Sequence, residues 1–235
     1  MFSLFNTPTW FNGIDLIFAL VTLVISLFIA RYSWKVYRLT SENKFKYFSI
    51  AFGLVILALC FKLVTYGILY FNPVREIVDV TLQPITQGEN SIRDLFYWAG
   101  YFLQMLSTLG AWLLIFFVSQ KSRARLNKFY EVSQILLFIY LVVLISIVGN
   151  FKYFVFYLTS LVLLSLIVLN YYKNYLNNNR NENSLLVMWA FLLIAIAQVF
   201  FIFVFLWSSF YFLGEFLTLI GFLLIFYVYR KIIKK

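Results

Sequence analysis

Residues 47–71, YFSIAFGLVILALCFKLVTYGILYF, decide the fold. At about 1.5 Å per residue the stretch is long enough to cross a ~30 Å hydrocarbon layer as one helix. Its only charge, Lys62, lies away from either end. An ionisable group at that depth is costly to strand in lipid, so such groups face a protein interior and have a partner. The helical face Ala51, Val55, Ala58, Lys62 and Thr65 is built mostly of small residues. Small residues let helices approach closely in lipid, which turns Lys62 toward its neighbours.

The rest of the chain has the same solvent. Of 235 residues 63% are hydrophobic and 12% charged, and the mean hydropathy is +0.90. Too few polar groups are present to clothe a water-soluble exterior. Seven apolar spans are expected, at 13–36, 47–71, 93–119, 130–148, 153–172, 184–207 and 210–229. The fold class is therefore an all-α integral membrane protein, a rhodopsin-like bundle of seven transmembrane helices forming one domain over 1–235. The spans claim almost every residue, leaving no room for an appended soluble domain. The opening MFSLFNTPTWFNG lacks the basic n-region of a cleavable signal, and the first apolar run is too long for one. It is expected to stay as a transmembrane helix.

Several faces carry small and polar groups at three- and four-residue spacing. In the first span these are Asp15, Ala19, Thr22, Ser26, Ala30 and Ser33. In the third they are Tyr97, Gly100, Tyr101, Gln104, Ser107, Thr108 and Ala111. The connection 72–92 holds Pro73, Pro84 and alternating valines, a pattern that fits either a small hairpin or an interfacial helix. Spans four and five are almost purely aliphatic and aromatic, as suits a lipid-exposed pair.

A net charge of +10 suggests nucleic acid in a soluble protein, but here it sorts by loop. Arg31, Lys35, Arg38, Lys44 and Lys46 fall on one side, with Lys121, Arg123, Arg125 and Lys128. Lys173, Arg180, Arg230, Lys231, Lys234 and Lys235 join them. Apart from Lys62, the opposite side has Arg75, Arg93 and Lys152. The positive-inside rule then places the N-terminus outside and the C-terminus in the cytoplasm of a multi-pass cell-membrane protein. The bilayer is the expected partner, and nucleic acid is not. The basic face also suits anionic lipid heads or a cytoplasmic or membrane protein partner.

Chemistry is bounded mostly by what is missing. There is no histidine, so histidine metal sites, Ser–His and Cys–His pairs and histidine relays are excluded. That removes ceramidase-like hydrolases; rhomboid-type GxSx and paired-glutamate motifs are also absent. A single cysteine, Cys60, excludes cysteine metal clusters. No enzymatic activity, cofactor or metal is expected. What remains is a set of polar residues sharing the outer half of the bundle. Lys62 lies about 13 Å, and Glu215 roughly 7 Å, from the outer ends of their helices. Asp15 is near the outer end of the first, and Gln104 and Gln198 fall at mid-depth. Lys62, Glu215, Asp15, Gln104 and Gln198 are the candidate ligand-binding residues, with Glu215 the expected partner of Lys62 and Asp15 its substitute. An internal ion pair that only fixes packing, or a lysine snorkelling outward, is the alternative.

The run Glu215-Phe-Leu-Thr-Leu219-Ile-Gly221-Phe222 resembles helix seven of the microbial rhodopsins, where an acid precedes the retinal lysine by four and Gly-Phe follows. The resemblance covers eight residues. It gives Glu215 the counter-ion place, but Leu219 stands where the lysine would be, so a retinal Schiff base there is ruled out. More broadly, YSWKVYRLTSENKFKYFSIAFGLVILAL and EFLTLIGFLLIFYVYR resemble stand-alone seven-helix membrane proteins of prokaryotes, a group without an assigned activity. Similar seven-helix regions serve as sensor inputs ahead of kinase or cyclase domains. The SWEET-type sugar transporters share helix number and length. Their repeated three-helix unit and gate prolines have no counterpart here, since prolines stand only at 8, 73 and 84. The expected function is a non-enzymatic sensor or receptor with a small-molecule pocket in the outer half. The alternatives are a small-solute transporter or ion carrier, and a structural membrane subunit with a partner on its basic cytoplasmic face.

Overall fold

A computed structural model describes residues 8, 11, 13–70, 92–120, 153–177 and 182–233. Among them the regular structure is helical: α1 (Ile14–Thr40), α2 (Asn43–Tyr70), α3 (Ile92–Ser119), α4 (Tyr153–Asn177), α5 (Glu182–Ile202) and α6 (Ser209–Ile233). All six are long and apolar enough to cross a membrane. The fourth expected span, 130–148, and the bulk of the 72–92 connection lie outside the described residues.

Most helices outrun the expected spans at their polar ends. α1 continues through KVYRLT to Thr40, and α4 continues through KNYLN to Asn177. These residues lack proline and glycine, so nothing in the chain stops the hydrogen-bond ladder where hydrophobicity ends. α5 does the opposite and stops at Ile202, giving way to turns at 203–206, although the apolar sequence runs on to Trp207. Apolar composition reads what lies in lipid, whereas a turn there has to be read from the backbone. α1 and α2 are joined tightly by Ser41, whose φ of 54° places it in the left-handed region that closes a helix.

Each helix packs on the next, and α1 closes the ring against α6. The small-residue faces are what they bury. Asp15, Ala19, Thr22, Ser26 and Ser33 of α1 are buried, as are Ala51, Val55, Ala58, Lys62 and Thr65 of α2. Ser49 Oγ donates to the Ala30 carbonyl at 2.8 Å, tying α2 to α1. Gly100 of α3 lies so close to α2 that a Cβ there would meet Thr65 Oγ1. On the α5–α6 seam, a Cβ at Gly221 would come within 2.9 Å of the Ala190 carbonyl. Hydroxyls inside the layer donate to carbonyls one turn back: Thr22 to Phe18, Ser26 to Thr22, Thr65 to Phe61 and Thr218 to Gly214. Lipid offers these groups no other acceptor. Rings fill the middle, with Phe222 at 6.0 Å from Phe52 and 6.4 Å from Trp112.

Contacts along the bundle fix the helix directions. Phe11 and Phe18 meet Tyr211 and Phe212, while Phe28 meets Phe226, so α1 and α6 run parallel. Phe48 stacks on Tyr229 and Tyr66 meets Tyr211, so α2 runs against α6. Tyr157 stacks on Phe201 and Tyr171 on Phe191, so α5 runs against α4. Tyr101 of α3 meets Phe156 near the start of α4. At the other end Asn170 Nδ2 donates to Ser119 Oγ (3.0 Å) and Asn174 Nδ2 to the Ser119 carbonyl (2.9 Å). α3 and α4 are therefore parallel, although consecutive among the described helices. One end of the bundle thus gathers Asp15, Tyr66, Tyr101, Phe156 and Tyr211. The other, the basic end, gathers Arg38, Lys44, Lys173 and Arg230.

Candidate functional site: a charged contact between α2 and α6

Three helices present charge to one another near the Asp15 end. Lys62 Nζ lies 2.5 Å from Glu215 Oε1, with the two side chains only 9% and 11% exposed. The contact joins residues 153 positions apart in the chain. Both groups stand on faces made for the interior. Lys62 continues the Ala51–Val55–Ala58 stripe, and Glu215 lies one turn beyond Tyr211, which is 1% exposed. At such burial an ion pair has little water to screen it, and losing either partner strands the other.

Asp15 supplies the third charge. It is fully buried in the first turn of α1, and its Oδ1 accepts from the Gly13 and Leu16 amides, each at 3.0 Å. Those bonds use donors that a helix N-terminus leaves over. Asp15 also interacts electrostatically with both Lys62 and Glu215. Gly13, at φ 90°, turns the preceding chain in a conformation that other residues rarely adopt. Phe11 beyond it is fully buried, with its ring 5.2 Å from Phe212 and 6.0 Å from Tyr211.

Two tyrosines complete the surroundings. The Lys62 ammonium lies 5.6 Å from the centre of the Tyr66 ring and 5.9 Å from that of Tyr211. Their hydroxyls are 3.2 Å apart. A cation between electron-rich ring faces and a carboxylate is stabilised on several sides. Neither tyrosine is among the candidate residues that the sequence offers. The signal that marks them is spacing: Tyr66 lies four residues after Lys62 and Tyr211 four before Glu215, so each shares a helical face with its charged neighbour.

The glutamines are placed differently. Gln198 is buried, and its amide nitrogen lies 3.3 Å from the Ile194 carbonyl one turn back on its own helix. Gln104 is half-buried on α3, where its backbone carbonyl accepts from the Thr108 hydroxyl. Their described hydrogen bonds stay within their own helices, whereas the Lys62–Glu215 pair and the charge of Asp15 draw on α1, α2 and α6.

The assembled groups are an ammonium, two carboxylates and two phenols. Such a set can exchange protons or engage a charged solute. No protein-family model matches the chain, and no curated protein or solved structure gives a match, so the site has to be read from its own geometry.

Proposed function

We propose that this chain is a non-enzymatic, sensor- or receptor-like protein of the cell membrane whose input site is the Lys62–Glu215–Asp15 contact. The observation that carries the reading is the buried 2.5 Å ion pair between α2 and α6. Apolar helices need no ion pair to pack, and well-packed apolar substitutes for such pairs are often neutral or stabilising. A charged contact retained at this position makes the spacing of two helices depend on what else engages the charges. A carboxylate arriving at Lys62, or an ammonium at Glu215, competes with the contact and biases α2 against α6. The shift is set by the difference in affinity between the two arrangements.

We read the bundle as seven-helix and rhodopsin-like, and the direction of the helices favours the reading of seven spans. Because α3 and α4 run parallel, the chain leaves α3 at the basic end and enters α4 at the Asp15 end. Residues 120–152 connect these two ends in the sequence. Their apolar stretch 130–148 falls within the roughly 17–25 residues that a transmembrane helix uses. The positive-inside rule supports the orientation. Arg31, Lys35, Arg38, Lys44, Lys46, Lys173, Arg230 and Lys231 lie toward one end, and among the described basic residues only Lys62 and Arg93 belong to the other half. The basic end is then cytoplasmic, and the charged contact sits in the outer half.

A second reading, an ion or small-solute carrier, is supported by the same ammonium and carboxylates lying in electrostatic contact across three helices. Proteoliposomes loaded with a pH-reporting dye separate the two. A sensor holds imposed proton and potassium gradients as well as protein-free liposomes do. A carrier dissipates a gradient, and Lys62→Met abolishes the leak; that result overturns the sensor reading.

A further inference from the structure

A second feature lies at the opposite end, on the outer surface of the α1–α6 seam. Phe28 and Tyr32 of α1 pack against Phe226 of α6, with ring centres 5.9 and 6.4 Å apart. Phe28 is 46% exposed, and Leu223, one turn before Phe226, is 45% exposed. The seam thus presents a strip of rings and aliphatic groups to the surroundings. Toward the basic end, within a turn or two, both helices become cationic on this same face. Lys35 lies seven residues after Phe28, and Arg31 three after it; Arg230 follows Phe226 by four. On an α-helix these spacings return to within about 60° of the starting residue. All three cations are exposed.

These cations differ from others at the same end. Lys44 is paired with Glu42, and Lys231 lies 3.4 Å from Glu182. Among the described residues, Arg31, Lys35 and Arg230 have no carboxylate partner. Trp34, 39% exposed and in ring contact with Tyr37, stands at the same level of α1. Exposed tryptophans of this kind mark the depth of lipid headgroups.

We propose that the α1–α6 seam is a binding site for one anionic phospholipid, its phosphate on Arg31, Lys35 and Arg230 and an acyl chain along Phe28, Phe226 and Leu223. The order of groups along the seam, cations toward the basic end and rings toward the middle, is the order of groups along a phospholipid. Arginine offers a phosphate two parallel N–H donors, and lysine adds a mobile point charge. A soluble anion satisfies the cations but not the apolar strip. A zwitterionic lipid satisfies the strip but brings its own cation to the three already there. The site lies at the end remote from Lys62 and does not depend on the function assigned to that residue.

The test uses the purified full chain in detergent, titrated separately with phosphatidylglycerol and phosphatidylcholine, with bound lipid counted by native mass spectrometry. Each surface cation contributes about fivefold to anionic-lipid attraction, so three give a preference on the order of a hundredfold. The wild type should retain one phosphatidylglycerol. The triple variant Arg31→Gln, Lys35→Gln, Arg230→Gln should bind both lipids alike. A control that removes the same charge elsewhere, Lys44→Gln, Lys46→Gln, Lys173→Gln, should keep the preference. Equal loss in the control would show diffuse attraction to the basic end and overturn the site. Displacement of the lipid by glycerol phosphate at comparable concentration would show a soluble-anion site, and would overturn it as well.

Discussion

Removing the charged partners singly and together tests whether Lys62 and Glu215 act as one unit. Lys62→Met leaves Glu215 without its cation and with the repulsion of Asp15. Two carboxylates without their cation are the worst outcome. Breaking a buried pair by removing one member costs about 3–5 kcal/mol, and this variant belongs at the upper end. Glu215→Gln keeps the side chain's shape and leaves Lys62 between the Tyr66 and Tyr211 rings with Asp15 still in electrostatic range. With those partners still in place the ammonium is not stranded, so the cost should lie near the lower end of that range, about 3 kcal/mol. For a chain of this size each kcal/mol moves the midpoint by about 2–4 °C. Thermal unfolding in one detergent at a fixed scan rate should therefore show a drop of about 10 °C or more for Lys62→Met. Glu215→Gln should lose roughly half as much. The double variant removes both charges and should fall less than Lys62→Met alone. Additive losses would refute the coupling and leave Lys62 as an independently placed lysine.

Three further outcomes follow from the same geometry. In a Cys60→Ser background, a cysteine at Asn177 should resist membrane-impermeant reagents in intact cells while one at Gly88 reacts; the reverse pattern would invert the orientation. Gly221→Ala places a Cβ within 2.9 Å of the Ala190 carbonyl, which cannot move aside as a side chain can. That substitution should cost about 1–3 kcal/mol in unfolding measurements, whereas Gly53→Ala, with open space around it, should be near neutral. Purified protein given retinal should develop no red-shifted, bleachable absorption, since Leu219 offers no amine; a stable band abolished by Lys62→Met would contradict this.

What was legible in the sequence follows from what the membrane dictates. A stripe of small and polar residues has only the bundle interior to face, so the burial of Ala51, Val55, Ala58, Lys62 and Thr65 could be read from spacing alone. The same logic required a partner for Lys62, and depth along each helix narrowed the choice to Glu215 or Asp15. Only side-chain geometry separates them: Asp15 spends one carboxylate oxygen on the amides of its own first turn, and Glu215 meets the ammonium. Tyr66 and Tyr211 do not stand out in the sequence, because tyrosine is abundant in this chain and suits packing or an interfacial position equally well. Depth groups Gln104 and Gln198 with the charges, but depth does not fix the direction of a side chain. The helix ends at Thr40, Asn177 and Ile202 differ from the expected span ends because hydropathy ends where lipid ends, while a helix ends where its backbone loses its ladder.

On the proposed reading, the Lys62–Glu215 contact sets the placement of α2 against α6. This is tested most directly by a distance measured between those helices near the Asp15 end. In a Cys60→Ser background, spin labels on cysteines replacing Val64 and Leu213, both exposed, report it by pulsed electron resonance in lipid nanodiscs. With the contact intact a single narrow distance distribution is expected. Lys62→Met and Glu215→Gln should each add a second, displaced population in the same labelled background. Identical distributions in all three proteins would contradict the account, leaving the ion pair a packing element with no hold on the arrangement of the helices.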